Sequence, residues 1–140
     1  MAGYIADINA APEGSNFLLH ACAHNPTGVD PTPEQWAEIS DALKKKKHVI
    51  MLDSAYQGFA SGSVEKDALP MRQLVKDGHN FLLCQSFAKN FGLYGERVGA
   101  FSVVCADTAE RDRVESQIKI LIRPMCGPPF FATRPHLPAT

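Results

Sequence analysis

The sequence predicts an α/β fold, with a mostly parallel sheet flanked by helices. Short apolar segments of strand character alternate along the chain with segments of helical period, as in βαβ units. The strand segments are continuous apolar runs, which is typical of strands buried on both faces. The 140 residues are 45% hydrophobic and 21% charged, a composition typical of a folded globular chain.

Four short apolar segments are the predicted strands. They cover residues 16–21, 48–52, 80–85 and 99–105. Ligands of open parallel sheets bind just beyond the carboxyl ends of the strands. The residues that directly follow each strand are therefore the first candidates for a functional site.

Helices are predicted after three of these strands. Thr32 is followed by Gln35 three residues later, a capping box that begins a helix. A second helix is predicted over about 70–77, and a third begins at Asp107. The lysine run 44–47 is expected to be a solvated helix end. The inner faces are expected to carry Trp36, Ile39 and Leu43 in the first helix and Met71, Leu74 and Val75 in the second.

Composition argues against several classes of protein. The net charge of -1 gives no basic surface for nucleic acid. No apolar run approaches the roughly 20 residues that cross a bilayer, and the N-terminus lacks a secretory or transit signal. A cytoplasmic product is therefore expected, with a mitochondrial parent left open.

None of the four cysteines is paired at two-residue spacing, so we expect free thiols rather than a metal or redox motif.

Six polar side chains follow the predicted strands and would converge if the strands are neighbours. They are Asn25, Asp53, Tyr56, Ser86, Lys89 and Arg97. A lysine amine can form a Schiff base with an aldehyde, and a carboxylate can keep a pyridine nitrogen protonated. A phenol and an amide can bind a ring oxygen, and serine and arginine suit a phosphate. Pyridoxal phosphate makes these demands, although an Asp after a strand is often only a turn former.

Three longer strings contain these residues. They are HACAHNPTGVDPTPEQW at 20–36, DSAYQGFASG at 53–62 and QSFAKNFGLYGERVG at 85–99. In order and spacing they resemble the class I aspartate aminotransferases, which depend on pyridoxal phosphate. The resemblance covers about residues 1–125 and implies a partial large domain of that fold, truncated at both ends.

The resemblance implies a role for each residue around the cofactor ring. Lys89 resembles the lysine that bonds to the cofactor and moves the proton during catalysis. Asp53 resembles the partner of the pyridinium nitrogen. Tyr56 and Asn25 resemble the two groups that hold the ring oxygen, and Asn25 also touches the substrate carboxylate in this family.

The resemblance also assigns phosphate ligands and a backbone feature. Ser86 and Arg97 resemble the residues that bind the cofactor phosphate. The family implies a cis peptide between Asn25 and Pro26, which is accessible only because the second residue is proline.

The family resemblance implies transfer of an amino group between L-aspartate and 2-oxoglutarate by a homodimeric enzyme of amino acid metabolism. We expect residues 1–125 to be part of the cofactor-binding domain and 126–140 to be a divergent, disordered tail. The family's phosphate loop, its substrate-binding arginines and its small domain are not among the matched strings. Impaired activity is therefore expected for this chain, with a non-catalytic fragment that binds pyridoxal phosphate, or an aromatic amino acid aminotransferase, as alternatives.

Two other interpretations of the motifs are weaker. Ser86 and Lys89 form an S-x-x-K pattern, but the S-D-N and K-T-G motifs that accompany it in penicillin-binding enzymes do not occur in the sequence. His20 and His24 have the spacing of metal ligands on a helix. They fall in a strand and a turn, so a structural role is favoured.

Overall fold

The structure of the protein is a computed structural model that describes residues 1–126, with side chains for 1–124. The chain divides into two units, of which the first is residues 1–106 and the second begins at residue 107. Apart from Cys126, the tail expected over 126–140 lies outside the described residues. The first unit contains the complete sheet and all the candidate site residues.

The sheet has four strands in the order β1-β2-β3-β4. The first three are parallel neighbours, and β4 pairs with β3 in the antiparallel direction. A helix connects β1 to β2 and β2 to β3, as parallel pairing requires. The chain between β3 and β4 instead turns back through a short 3₁₀ segment. The mostly parallel sheet expected from the sequence is thus confirmed. The strands are β1 Asn16–His20, β2 Val49–Ser54, β3 Phe81–Ser86 and β4 Gly99–Val104.

Four helices belong to the first unit. They are α1 Ala2–Ala10, α2 Pro33–Lys45, α3 Val64–Asp67 and α4 Leu69–Lys76. The predicted capping box is confirmed, because Thr32 Oγ1 accepts from the Gln35 backbone N–H while Gln35 Oε1 accepts from the Thr32 N–H. This satisfies donors that a helix N-terminus leaves unpaired.

The hydrophobic core lies between these helices and one face of the sheet. Trp36, Ile39 and Leu43 of α2 are buried, as the helical period predicted. Their partners include alternate strand residues such as Ile50 and Leu52. Val75 was expected on the inner face of α4 but is 55% exposed. Because α4 turns its Met71–Leu74 edge to the core, the neighbouring Val75 points away from it.

α1 was not predicted from the sequence, because only Ile8 among its residues is buried. Its end is held by two side chains from the segment between α2 and β2. His48 Nε2 lies 3.1 Å from the Ile8 carbonyl oxygen, and Lys46 Nζ donates to the Ala11 carbonyl at 2.8 Å and also to that of Asn9. The lysine run is therefore more than a solvated helix end.

The second unit contributes one described helix, α5 Thr108–Cys126. The Glu110 backbone N–H donates to Asp107 Oδ1 at 2.7 Å, so the predicted cap at Asp107 is present. Across the described part of the chain, no helix combines the length and the apolar character needed to span a membrane.

Candidate functional site

The polar residues meet at the edge where the parallel strands end. Asp53 of β2 lies between His20 of β1 and Cys84 of β3 in the sheet register. β4 runs in the opposite direction, so its first residue, Gly99, pairs with Ser86 at the end of β3. The residues just before β4 are thereby brought to the same edge.

A cleft of about 200 Å³ opens at this edge. Three of the six candidates line it: Asp53 from β2, Ser86 from β3, and Arg97 from the chain before β4. The remaining lining comes from neighbouring residues of β3, β4 and their connection. These are Cys84, Gln85, Ala88, Val98 and Gly99.

Gly99 allows β3 and β4 to approach closely beside the cleft. A Cβ at this position would overlap the Gln85 carbonyl oxygen and lie 3.5 Å from the Ser86 Cα atom. Both are backbone atoms, so no rotamer change can relieve the overlap. Only a residue without a Cβ lets Ser86 and Arg97 flank the same opening.

Lys89 and Tyr56 are in direct contact at the same edge. Lys89 Nζ lies 4.7 Å from the centroid of the Tyr56 ring, within the range of a cation–π interaction. Tyr56 follows β2 and Lys89 follows β3, and both side chains are partly buried. The contact holds the amine in place beside the strand ends.

The Asp53 carboxylate is available to a ligand. Within residues 1–124 it has no hydrogen-bond or ion-pair partner, although the residue is only partly exposed. Burial raises the pKa of the neighbouring Cys84 thiol, and the Asp53 charge raises it further. The raised pKa leaves the Cys84 thiol, in the wall of the cleft, less ionised than an ordinary cysteine.

Ser86 and Arg97 line the cleft and carry a hydroxyl and a guanidinium. Ser86 Oγ accepts from the Ala88 backbone N–H at 3.2 Å, which leaves its own hydrogen free to donate. Arg97 has a left-handed backbone with φ of 50°, and its Nη1 donates to the Tyr94 carbonyl at 3.3 Å. The other guanidinium donors remain available to an anion.

Asn25 lies on the loop after β1 and does not line the cleft. Its backbone N–H donates to His20 Nδ1 at 3.1 Å, and the Asn25–Pro26 peptide is cis, as the family implied. Asp30 closes this loop by accepting from the backbone N–H groups of Ala23 and His24. His24 Nδ1 contacts Thr27 Oγ1 at 2.7 Å, so both histidines of the H-x-x-x-H pattern have protein partners.

Two further features of this edge were missed in the sequence. The Gln85 side chain donates to Gln57 Oε1 at 3.2 Å and so joins β3 to the loop after β2. Asp67 is a charged residue with only 4% exposure, and it accepts from backbone N–H groups of that loop. Neither set of hydrogen bonds could be recognised from a sequence motif. An Asp six to nine residues after a glycine-marked turn is only a weak indication.

An α/β sheet with an amine, a carboxylate and a guanidinium at its carboxyl edge is typical of an enzyme with a ligand site there. The chain belongs to the class I and II aminotransferases, because the family model "Aminotransferase class I and II" matches residues 1–135.

Individual relatives agree with this membership. The mitochondrial aspartate aminotransferase of Dictyostelium discoideum is 64% identical over 129 residues, which cover 91% of this chain and 30% of the relative. The solved broad specificity aminotransferase from Leishmania mexicana has a TM-score of 0.87 and 51% identity, over 89% of this chain and 31% of that one. An aromatic-amino-acid aminotransferase from Burkholderia pseudomallei, covalently bound to pyridoxal phosphate, has a TM-score of 0.86 and 43% identity, over the same shares. The chain thus spans about 30% of the curated relative's length.

Proposed function

We propose that this chain is the cofactor-binding part of an aspartate aminotransferase and that it binds pyridoxal phosphate through Lys89. The observation that carries the proposal is the contact between the Lys89 amine and the Tyr56 ring, beside a cleft lined by Asp53, Ser86 and Arg97. The similarity to a mitochondrial aspartate aminotransferase supports it.

The residues present fit this cofactor. Pyridoxal phosphate, when bound, supplies an aldehyde that a lysine amine can attack and a pyridinium ring that accepts electrons. An unpartnered carboxylate such as Asp53 suits the ring nitrogen, because a pyridinium N–H would satisfy its acceptors. A hydroxyl and a guanidinium together suit a phosphate.

Each side chain then has a separate task. Lys89 would hold the cofactor through its amine, and the same amine could move a proton at the substrate carbon. Tyr56 and Asn25 would donate hydrogen bonds to the ring oxygen. Ser86 and Arg97 would hold the phosphate.

The substrates proposed are an amino acid and a 2-oxo acid, with L-aspartate and 2-oxoglutarate as the pair. The relative's name favours aspartate, whereas the Burkholderia pseudomallei structure is of an aromatic-amino-acid enzyme. A homodimer is proposed for the whole protein. Residence in the cytoplasm stays a prediction, because the relative is mitochondrial.

A matched pair of variants tests the role of Lys89. Lys89→Arg keeps the positive charge over the Tyr56 ring but removes the nucleophilic amine. Lys45→Arg makes the same change at the exposed last residue of α2. Titration with pyridoxal phosphate is expected to give the absorbance of a bound imine in the wild type and in Lys45→Arg, but not in Lys89→Arg. An equal imine signal and dissociation constant in all three would exclude Lys89 as the attachment site.

A further inference from the structure

The carboxylate of Asp67 is the centre of the loop that follows β2. Asp67 is only 4% exposed, and its two oxygens accept from the backbone N–H groups of Gly58, Ala60 and Ser61 at 2.7, 3.2 and 3.1 Å. No cation forms an ion pair with it among residues 1–124. Its charge is therefore balanced by backbone dipoles alone, so the loop must keep its shape for the carboxylate to stay buried.

This loop begins at Tyr56. The Phe59 backbone N–H donates to the Tyr56 carbonyl at 2.9 Å, and Gly58 has a left-handed φ of 90°. The tight turn fixes the position from which the Tyr56 side chain reaches Lys89. Nothing else in the described loop supplies a buried acceptor for these N–H groups, so Asp67 determines the turn that carries Tyr56.

The charge of Asp67 also reaches the neighbouring strand end. Burial, and then the charges of Asp67 and Asp30, raise the pKa of the Cys22 thiol to about 11. Cys22 lies just after β1, at the start of the loop that carries Asn25. The charge of Asp67 therefore acts at the start of the loop that carries Asn25, as well as within the loop that carries Tyr56.

We infer that Asp67 is a positioning residue for Tyr56. By binding the backbone N–H groups of Gly58, Ala60 and Ser61, it holds the Tyr56 ring against Lys89 and keeps the phenol where it can reach the cofactor ring. The inference rests on the proposed function for the identity of the ligand. Its geometric part concerns Tyr56 and Lys89 alone.

A double-mutant cycle between Asp67→Asn and Tyr56→Phe tests this inference on the 140-residue chain, with pyridoxal phosphate affinity as the readout. Tyr56→Phe removes one hydrogen bond and is expected to weaken binding about 2- to 10-fold. Asp67→Asn is expected to weaken the binding of pyridoxal phosphate by a similar factor, although the Tyr56 side chain is unchanged. It is expected to do so by displacing the phenol hydroxyl, which Tyr56→Phe has already removed. The double variant should therefore bind within about 2-fold of Tyr56→Phe. Additive losses, or unchanged affinity in Asp67→Asn, would overturn the inference.

A control and a second measurement separate positioning from loss of stability. Asp77→Asn alters another carboxylate, which accepts from Ser40 and Gln73, and should leave affinity within about 2-fold. Asp67→Asn should speed hydrogen exchange at Gly58, Ala60 and Ser61. If Asp67→Asn does not fold, Asp67→Glu keeps the charge and displaces the oxygens by one methylene, with the same expected outcome.

The two proposals can fail separately. If the wild-type chain bound no pyridoxal phosphate, the proposed function would be wrong. The positioning role would then be judged by nuclear Overhauser contacts between Lys89 and Tyr56 in the free chain. These contacts should weaken in Asp67→Asn, and their persistence at full strength would refute the role of Asp67.

Discussion

Gly99→Ala is expected to damage both the sheet and the cleft. The new Cβ would overlap the Gln85 carbonyl oxygen, a backbone atom of the neighbouring strand. An ordinary contact requires the two strand ends to separate by about 1 Å. Overpacking of this kind costs about 1–3 kcal/mol. At roughly 4 °C per kcal/mol for a chain of this size, the melting temperature should fall by about 4–12 °C.

Thermal unfolding followed by circular dichroism measures this effect, and Gly95→Ala is the matched control. Gly95 lies in the same connection between β3 and β4, and a Cβ there would meet nothing within 4 Å. Because Ser86 and Arg97 flank the β3–β4 approach, Gly99→Ala should also weaken the binding of pyridoxal phosphate. If Gly99→Ala had the same melting temperature as the wild type and Gly95→Ala, the close approach argued for these strands would be wrong.

Three further predictions concern α1, pH and turnover. Lys46→Ala should speed amide exchange in α1, because Lys46 Nζ donates to the carbonyls of Asn9 and Ala11 at the end of this helix. Lys45 makes no such contact, so Lys45→Ala should leave the exchange rate unchanged. Equal rates in the two variants would contradict this role of Lys46. Burial lowers the pKa of His79. Near pH 6.5 the unfolded chain therefore binds more protons at this residue than the folded chain does. The free energy of unfolding should accordingly fall as the pH drops through about 6.5. Urea denaturation of the wild type and His79→Gln should show this step only in the wild type. Added aspartate should give little oxaloacetate. Among residues 1–124, Arg97 is the one arginine that lines the cleft, and it is assigned to the phosphate, which leaves no guanidinium there for the substrate carboxylates. Rapid release of oxaloacetate would contradict this expectation.

Local features of the fold could be predicted because their partners are near in sequence. The capping box of Thr32 and Gln35 involves residues three apart, and the apolar period of α2 lies within a single helix. Gly78 follows α4 with a left-handed φ of 75°, a backbone conformation that glycine adopts without strain. The apolar strand runs identified every strand to within two residues.

Features that depend on distant partners could not be predicted. α1 buries only Ile8, and its end is held by Lys46 and His48, which lie about 35–40 residues away. The direction of β4 depends on how the chain turns after Lys89, and no local pattern specifies that turn. Since this reversal brings Arg97 to the cleft, the sequence indicated the residue without showing how it reaches the site.

The candidate site also has parts that could be predicted from the sequence and parts that could not. Asp53 and Ser86 meet because β2 and β3 are parallel neighbours, which the alternation of strands and helices predicted. The contact between Lys89 and Tyr56 joins two such strand ends. Asn25 lies on a separate loop, outside the cleft lined by Asp53. Its role toward a cofactor therefore stays a prediction.

Reduction with borohydride after incubation with pyridoxal phosphate, followed by peptide mass spectrometry, tests the cofactor assignment most directly. A bound imine would become a stable secondary amine on whichever lysine formed it. The pyridoxyl mass should appear on the peptide that contains Lys89, at one group per chain. Labelling of surface lysines such as Lys45 or Lys66, with Lys89 unmodified, would contradict the assignment of this edge of the sheet as a cofactor site.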